Sequence, residues 1–192
     1  MSVRDRAEGR LWLLAALYLV AIYLSLYPLQ FAMDFLRARN VLRLAISTTF
    51  AAAFLGVVWL GWRGRWNARQ WLVAAAAALV VGALALRLEV VQERLHLVEY
   101  GLLGLLFWAA LAWRDERLGR ARFADALRTV AVATLLVALA GWVDEGIQGL
   151  LPNRVYDLRD VGLNAGAGAL AAGFAAIHRR LGAPGAPGAG SR

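Results

Sequence analysis

The chain contains no cysteine. Disulfides and cysteine-based metal centres are thereby excluded, and no redox compartment can be read from thiols. It also contains no lysine. All 21 basic residues are arginine, whose guanidinium keeps its charge and forks onto phosphate or carboxylate. Period-2 alternation of polar and apolar residues is absent, which argues against a transmembrane barrel. No Ser, Thr or Cys stands beside His96, so no triad-type nucleophile is apparent, and a remote partner such as Ser47 has no support in the pattern.

What the chain has in excess is apolar surface. Its 192 residues are 61% hydrophobic, with a mean hydropathy of +0.57, far above an ordinary soluble domain. Apolar runs of roughly 17–20 residues recur, the length needed to cross a bilayer core of about 30 Å. The expected class is all-α: a polytopic transmembrane helical bundle of about six spans. The net charge of +8 does not point to nucleic acid, because the arginines are dispersed between apolar runs, as in loops that meet anionic lipid headgroups.

The first run, Leu11 to Tyr27, follows Arg4, Arg6 and Arg10. It resembles a signal peptide but is too long for a typical apolar region and lacks a clear cleavage site, so a retained helix is expected. Pro28 is expected to break or kink it, leaving Leu29 to Leu36 as an interfacial amphipathic piece. Further spans are expected over Leu44–Trp62, Trp71–Leu86, Leu95–Trp113, about Thr129–Leu151 and about Val161–Ile177, the last stopped by His178-Arg179-Arg180. Trp62 and Trp66 read as interface anchors. The chain divides into residues 1–91 (about three spans), 92–181 (about three spans with most of the polar groups) and a low-complexity tail, 182–192, expected to be disordered.

Six spans put both termini on one side. The termini and the even-numbered loops carry 14 arginines, against 7 for the odd-numbered loops. The positive-inside rule then places both termini in the cytoplasm and the third and fifth loops outside.

Two polar clusters lie at those loops. On a helix Glu93, His96 and Tyr100 share a face, with Glu99 at its edge. Asp144 and Gln148 form an i,i+4 pair, Glu145 lies three residues before Gln148, and Asp157, Asp160 and Asn164 fall on one face. Ionisable groups at a membrane are costly and normally face a bundle interior or a wet cavity, paired with one another. A composite site is the economical reading. His96 with Glu99, Asp144 or Glu145 suits general acid/base work in a partly desolvated pocket. Glu93, Tyr100, Gln148, Arg154, Asp157, Asp160 and Asn164 are the candidate binding residues. One histidine among carboxylates suits a hard or borderline divalent cation, but the spacing matches no standard motif such as His-Glu-x-x-His, so no metal ligand and no cofactor is assigned.

Each residue also has a purely structural reading. His96 reads equally as an interfacial side chain at a helix start. Glu99, Asp157 and Asp160 complement helix N-termini, and Asp157 or Asp160 suits an N-cap. Arg154 suits a snorkelling anchor. Asp144 and Glu145 resist this, because two acids at a helix exit oppose its dipole and call for a cation, a proton or an arginine, with Arg154, Arg159, Arg94 and Arg87 available. In the last span Gly162-x-x-x-Gly166 and Asn164-x-x-x-Gly168, with Ala165, Ala169, Ala172 and Gly173, are expected to allow close helix approach.

The pattern Glu93-x-x-His96-x-x-Glu99-Tyr100-x-Leu102-Leu103-Gly104, followed by Asp144-Glu145-x-x-Gln148-x-x-x-Pro152-x-Arg154-x-x-Asp157-x-x-Asp160-x-x-x-Asn164-x-Gly166, resembles the signature of VanZ-like membrane proteins. The resemblance covers roughly Gln92 to Gly173. That family is named for a protein associated with low-level resistance to the glycopeptide teicoplanin. The resemblance implies that His96, Glu99, Asp144, Glu145, Gln148, Arg154, Asp160 and Asn164 form a characteristic polar site. The function expected is binding or modification of an envelope lipid or lipid-linked glycan at the cell (inner) membrane, with membrane lipids or a lipid-linked precursor as partners and no nucleic acid. The alternatives are a transporter or flippase subunit, and a scaffold held by a structural ion-pair network.

Overall fold

A computed structural model describes residues 3–91, 93–120, 122–152 and 154–182. They form six helices: α1 (Val3–Ala38), α2 (Leu42–Arg63), α3 (Ala68–Arg87), α4 (Glu93–Arg117), α5 (Phe123–Gln148) and α6 (Leu158–Gly182). All six are long and apolar enough to cross a membrane, so the chain is an all-helical, multi-pass membrane protein. Large side chains cover the outside: Leu24 is 73% exposed, Leu79 74% and Leu86 80%. In water such a continuous apolar surface would aggregate; against acyl chains it is the expected solvent face.

The core is α1, α4, α5 and α6. Leu97, Tyr100, Leu103 and Phe107 of α4 pack with Ala133, Val137 and Ala140 of α5, Ala167 and Ala172 of α6, and Ala15 and Ile22 of α1. Lipid tails are as apolar as these side chains, so helix association depends on close packing rather than on excluding water. The closest approach is at Gly104 and Gly168. A Cβ on Gly104 would sit 2.6 Å from Gly168 Cα, and one on Gly168 would sit 2.7 Å from Val137 Cγ2. The helices α2 and α3 flank this core, and α3 contributes no buried residue. Its start is nevertheless pinned: Asn67 Nδ2 donates to the Leu181 carbonyl at 2.9 Å and Gln70 Nε2 to that of His178 at 3.3 Å.

The bundle alternates up and down. The start of α1 meets the end of α4 through Arg117, which pairs with Glu8 at 2.9 Å and Asp5 at 3.4 Å. The end of α6 meets the same place through Arg179 and Glu116. The first and last helices therefore begin and end on one side.

Several boundaries differ from the sequence expectation. Pro28 does not end the first span. It lies inside α1, a 36-residue helix of roughly 54 Å. Proline removes one backbone donor, but in an apolar environment the neighbouring groups gain nothing by leaving the helix, so helical structure persists on both sides. Leu29 to Leu36 is thus not a separate interfacial piece: Leu29, Met33 and Leu36 pack with Leu42 and Ile46 of α2. The His178-Arg179-Arg180 stop is also overturned. α6 runs through it to Gly182, because cations suit a helix C-terminus and Arg180 has a ring to lie on, Phe123 at 4.6 Å. Gly182 accordingly belongs to a helix, and the rest of the expected tail lies outside the described residues. Gly162 and Gly166 face open space, and close approach runs through the other expected pair, Asn164 and Gly168. Trp66 is more than an interface anchor: it packs on Trp71 at 5.4 Å and His178 at 4.1 Å.

Candidate functional site

At the end of the bundle opposite Arg117 lies a cavity of about 630 Å³. Glu93 and His96 of α4, Gln148 of α5, Arg154 and Asp157 of the following segment, and Asp160 of α6 line one wall. The other wall is α1, through Tyr27, Gln30, Phe31, Met33, Asp34 and Arg37. Six of the eleven candidate residues thus meet in one space.

Tyr100, Asp144 and Glu145 stand behind this wall. The Tyr100 hydroxyl donates to Asp144 Oδ2 at 2.6 Å. Both residues are fully buried, and Asp144 Oδ1 has no hydrogen-bond partner. Glu145 is 1% exposed. Its Oε1 accepts from Gln148 Nε2 at 3.1 Å and its Oε2 from the Asp157 backbone N–H at 3.0 Å. This second bond ties the end of α5 to the start of α6. Asp157 is also the N-cap of α6, its Oδ1 accepting the Arg159 N–H at 2.8 Å, as Asp at such a position does.

Asn164 is fully buried against Gly141 of α5, where a Cβ would come within 2.9 Å of Asn164 Cβ. Both its amide atoms lack a hydrogen-bond partner. Glu99 does not line the cavity. It lies deeper along α4, within electrostatic reach of Tyr18 on α1 and of Asp144. Of the four acid/base candidates only His96 reaches the cavity surface. Its Nδ1 is buried and has no hydrogen-bond partner.

Of the three partners open to Asp144 and Glu145, a cation, a proton or an arginine, an arginine within ion-pair distance is not in place among the described residues. Among the described residues neither acid forms an ion pair, and the donors they use are a hydroxyl, an amide and a backbone N–H. Arg94 instead caps α3, its guanidinium donating to the Leu88 carbonyl at 3.0 Å. Arg154 acts on Asp144 and Asp160 from beyond ion-pair distance.

The sequence reading missed the α1 wall. Tyr27, Gln30, Asp34 and Arg37 recur at spacings of three and four, one helical face, and Asp34 pairs with Arg37 at 2.8 Å. Treating Pro28 as a break hid this stripe. The spacing within any one helix also hid a second feature. One ligand-type atom each from His96, Glu145 and Asp160 lies within 4.8 Å of the others, and these residues come from three different helices.

Comparisons of the chain with protein-family models, with curated proteins and with solved structures return no match.

Proposed function

We propose that this is a VanZ-like protein of a bacterial inner membrane, with both termini in the cytoplasm, whose cavity binds the polar head of an envelope lipid or lipid-linked glycan at the outer face. The observation that carries the reading is the two-sided cavity. One wall offers His96, Gln148, Arg154, Asp157 and Asp160; the other offers Tyr27 and Phe31, which are 52% and 57% exposed on the outside of α1. A head group held by the first wall leaves its chain against the second and the surrounding lipid. Arg154 supplies the fork for a phosphate or carboxylate. The arginine asymmetry of 14 to 7 supports the orientation, and the sequence resemblance supports the envelope context.

A transport pathway has less support. Between Tyr100 at one end of the core and Thr129 at the other, the buried side chains of α4 and α5 are Leu103, Phe107, Ala110, Ala112, Ala133, Val137 and Ala140, and those of the facing α1 and α6 include Ala15, Ile22, Ala167 and Ala172. A conducted polar solute would need polar partners at that depth.

Native mass spectrometry of the protein extracted from the membrane tests the reading. The wild type is expected to retain an anionic amphiphile, and an Arg154→Gln/His96→Ala variant to lose at least about nine-tenths of it, which corresponds to about 1.4 kcal/mol. Equal lipid retention by both proteins overturns the reading. Orientation is tested separately by a single cysteine at Val155, unique in this cysteine-free chain. A membrane-impermeant maleimide added to intact cells should label it, and labelling only after lysis reverses the orientation.

A further inference from the structure

We infer that His96, Glu145 and Asp160 form a binding site for one divalent transition-metal cation of the Mn²⁺, Fe²⁺ or Zn²⁺ type. The three residues come from α4, α5 and α6, and their ligand-type atoms lie within 4.8 Å of one another. A cation with bonds of about 2.1 Å holds tetrahedral ligands about 3.4 Å apart. Closing the set from a spread of 4.8 Å therefore takes up to about 0.8 Å per residue, within the range of a side-chain rotation.

Three further observations point the same way. Two carboxylates and an imidazole face each other; among the described residues neither Glu145 nor Asp160 forms an ion pair within 4 Å, and Arg159 and Arg154 act on Asp160 only from longer range. A divalent cation balances the two carboxylates. Next, Glu145 is already held as a ligand would be. Gln148 Nε2 and the Asp157 N–H each occupy one of its oxygens, the outer contacts that orient metal-binding carboxylates, and each oxygen keeps a lone pair. Last, Asp144 is 0% exposed with Oδ1 unpartnered, and its charge acts on His96. A buried carboxyl oxygen without a hydrogen-bond partner beside the cluster adds to its attraction for a cation.

The donor set selects the metal. One imidazole nitrogen with two carboxylates suits Mn²⁺, Fe²⁺ or Zn²⁺, whereas Mg²⁺ and Ca²⁺ favour oxygen alone. Three protein ligands leave coordination positions open toward the cavity, the arrangement of sites that take a further ligand. Arg154 lines that cavity, so an anion would find the cation and the guanidinium together. The cation site does not depend on the head-group reading, and it is measured without lipid.

The test uses chelator-stripped full-length protein in detergent, titrated with Mn²⁺ or Zn²⁺ by calorimetry, with the metal content after desalting read by mass spectrometry. One equivalent per chain is expected. Glu145→Gln and Asp160→Asn should each weaken binding at least about tenfold. Asp144→Asn should weaken it several-fold at unchanged stoichiometry, and Asp125→Asn, at the start of α5 and the other end of the bundle, should leave it unchanged. Thermal unfolding of the wild type needs no variant: its midpoint should rise with Mn²⁺ or Zn²⁺ and not with equal Mg²⁺. The site is overturned if the wild type takes up neither metal, if its midpoint is unmoved by both, or if the Glu145→Gln/Asp160→Asn double variant binds as the wild type does. Equal binding of Mg²⁺ overturns the assignment of His96 as a ligand.

Discussion

Asp115 and Asp144 are both buried acids near the ends of core helices, 7% and 0% exposed, and they are treated in opposite ways. Asp115, near the end of α4, accepts from Arg128 at 2.6 Å and from the Thr129 hydroxyl, with Arg120 at 3.6 Å. Around it Arg117 holds Asp5 and Glu8, and Arg179 holds Glu116. At the far end Asp144, Glu145 and Asp160 form no ion pair among the described residues, and buried polar atoms of His96, Asp144 and Asn164 have no hydrogen-bond partner. Leaving such groups unmet costs about 1–3 kcal/mol each. One end is largely a set of completed contacts that joins helices, with His178 Nε2 its buried unpartnered atom; the other keeps several unfinished valences in and behind a cavity wall, as sites built for ligands do at the expense of stability.

The comparison depends on a common frame, and breaking the frame should erase both ends together. Gly168→Leu puts a side chain where even a Cβ lies 2.7–2.9 Å from Val137, and where Gly104 is already in backbone contact. Overpacking of this kind costs about 1–3 kcal/mol and sometimes more, and here there is backbone on one side and a β-branched residue on the other. We expect a loss at or above about 3 kcal/mol, seen as a shifted unfolding midpoint on SDS titration in mixed micelles. Gly166→Leu, two residues away and facing open space, should move the midpoint by less than about 0.5 kcal/mol. A similar loss at both positions would mean that α6 packs through the wrong face.

The two aspartates provide the sharper contrast. Asp115→Ala strips Arg128 of its acceptor and leaves the Thr129 hydroxyl only the Asp125 carbonyl, at 2.8 Å. Arg128 is half exposed, so the cost is screened and should be about 1–2 kcal/mol. Asp144→Asn removes a buried carboxyl group that meets no ion-pair partner within 4 Å among the described residues, and it keeps an acceptor for the Tyr100 hydroxyl. Stability should be unchanged or should rise by up to about 1 kcal/mol. The opposite signs are the prediction. If Asp144→Asn destabilises as much as Asp115→Ala in the same micelle titration, the far end is a structural network and not a poised one.

Much of this frame was legible beforehand, for a clear reason. A span is written locally, as about 20 apolar residues between arginines, so all six helices could be counted from the chain. The polar face of α4 was legible because three- and four-residue spacing defines a helical face. What was not legible depended on contacts between helices. Pro28 reads as a break in isolation, and only the apolar surroundings of α1 and its packing on α2 and α4 keep the helix whole. The spacing of Tyr27, Gln30, Asp34 and Arg37 was in the sequence, but its meaning required that continuity. Gly162 and Gly166 fit a packing motif yet face outward, because the rotation of α6 is set by Asn164 against Gly141 and Gly168 against Gly104. That the polar clusters converge was expected from their place at the third and fifth loops, but nothing in the spacing singles out His96, Glu145 and Asp160 as the three that meet.

The smallest expected effect tests how far the completed end owes its strength to charge. Arg117 reaches Asp5 and Glu8 across from α4 to α1, and its side chain is 42% exposed, against 33% for Asp5 and 13% for Glu8. An exposed pair gains little, because water and salt screen it and two long side chains lose freedom. Double-mutant measurements on such pairs give about 0.2–1 kcal/mol. Arg117→Ala should therefore cost about 0.5–1 kcal/mol in the micelle titration, and the difference from wild type should shrink in 1 M salt, where the screening length falls to about 3 Å. Asp115→Ala should lose less of its effect under the same salt, because the hydrogen bond from buried Thr129 is not screened. If salt erases both effects equally, the contacts around Asp115 are as wet as those of Arg117. The contrast between a closed end and a poised one would then rest on geometry without a difference in energy.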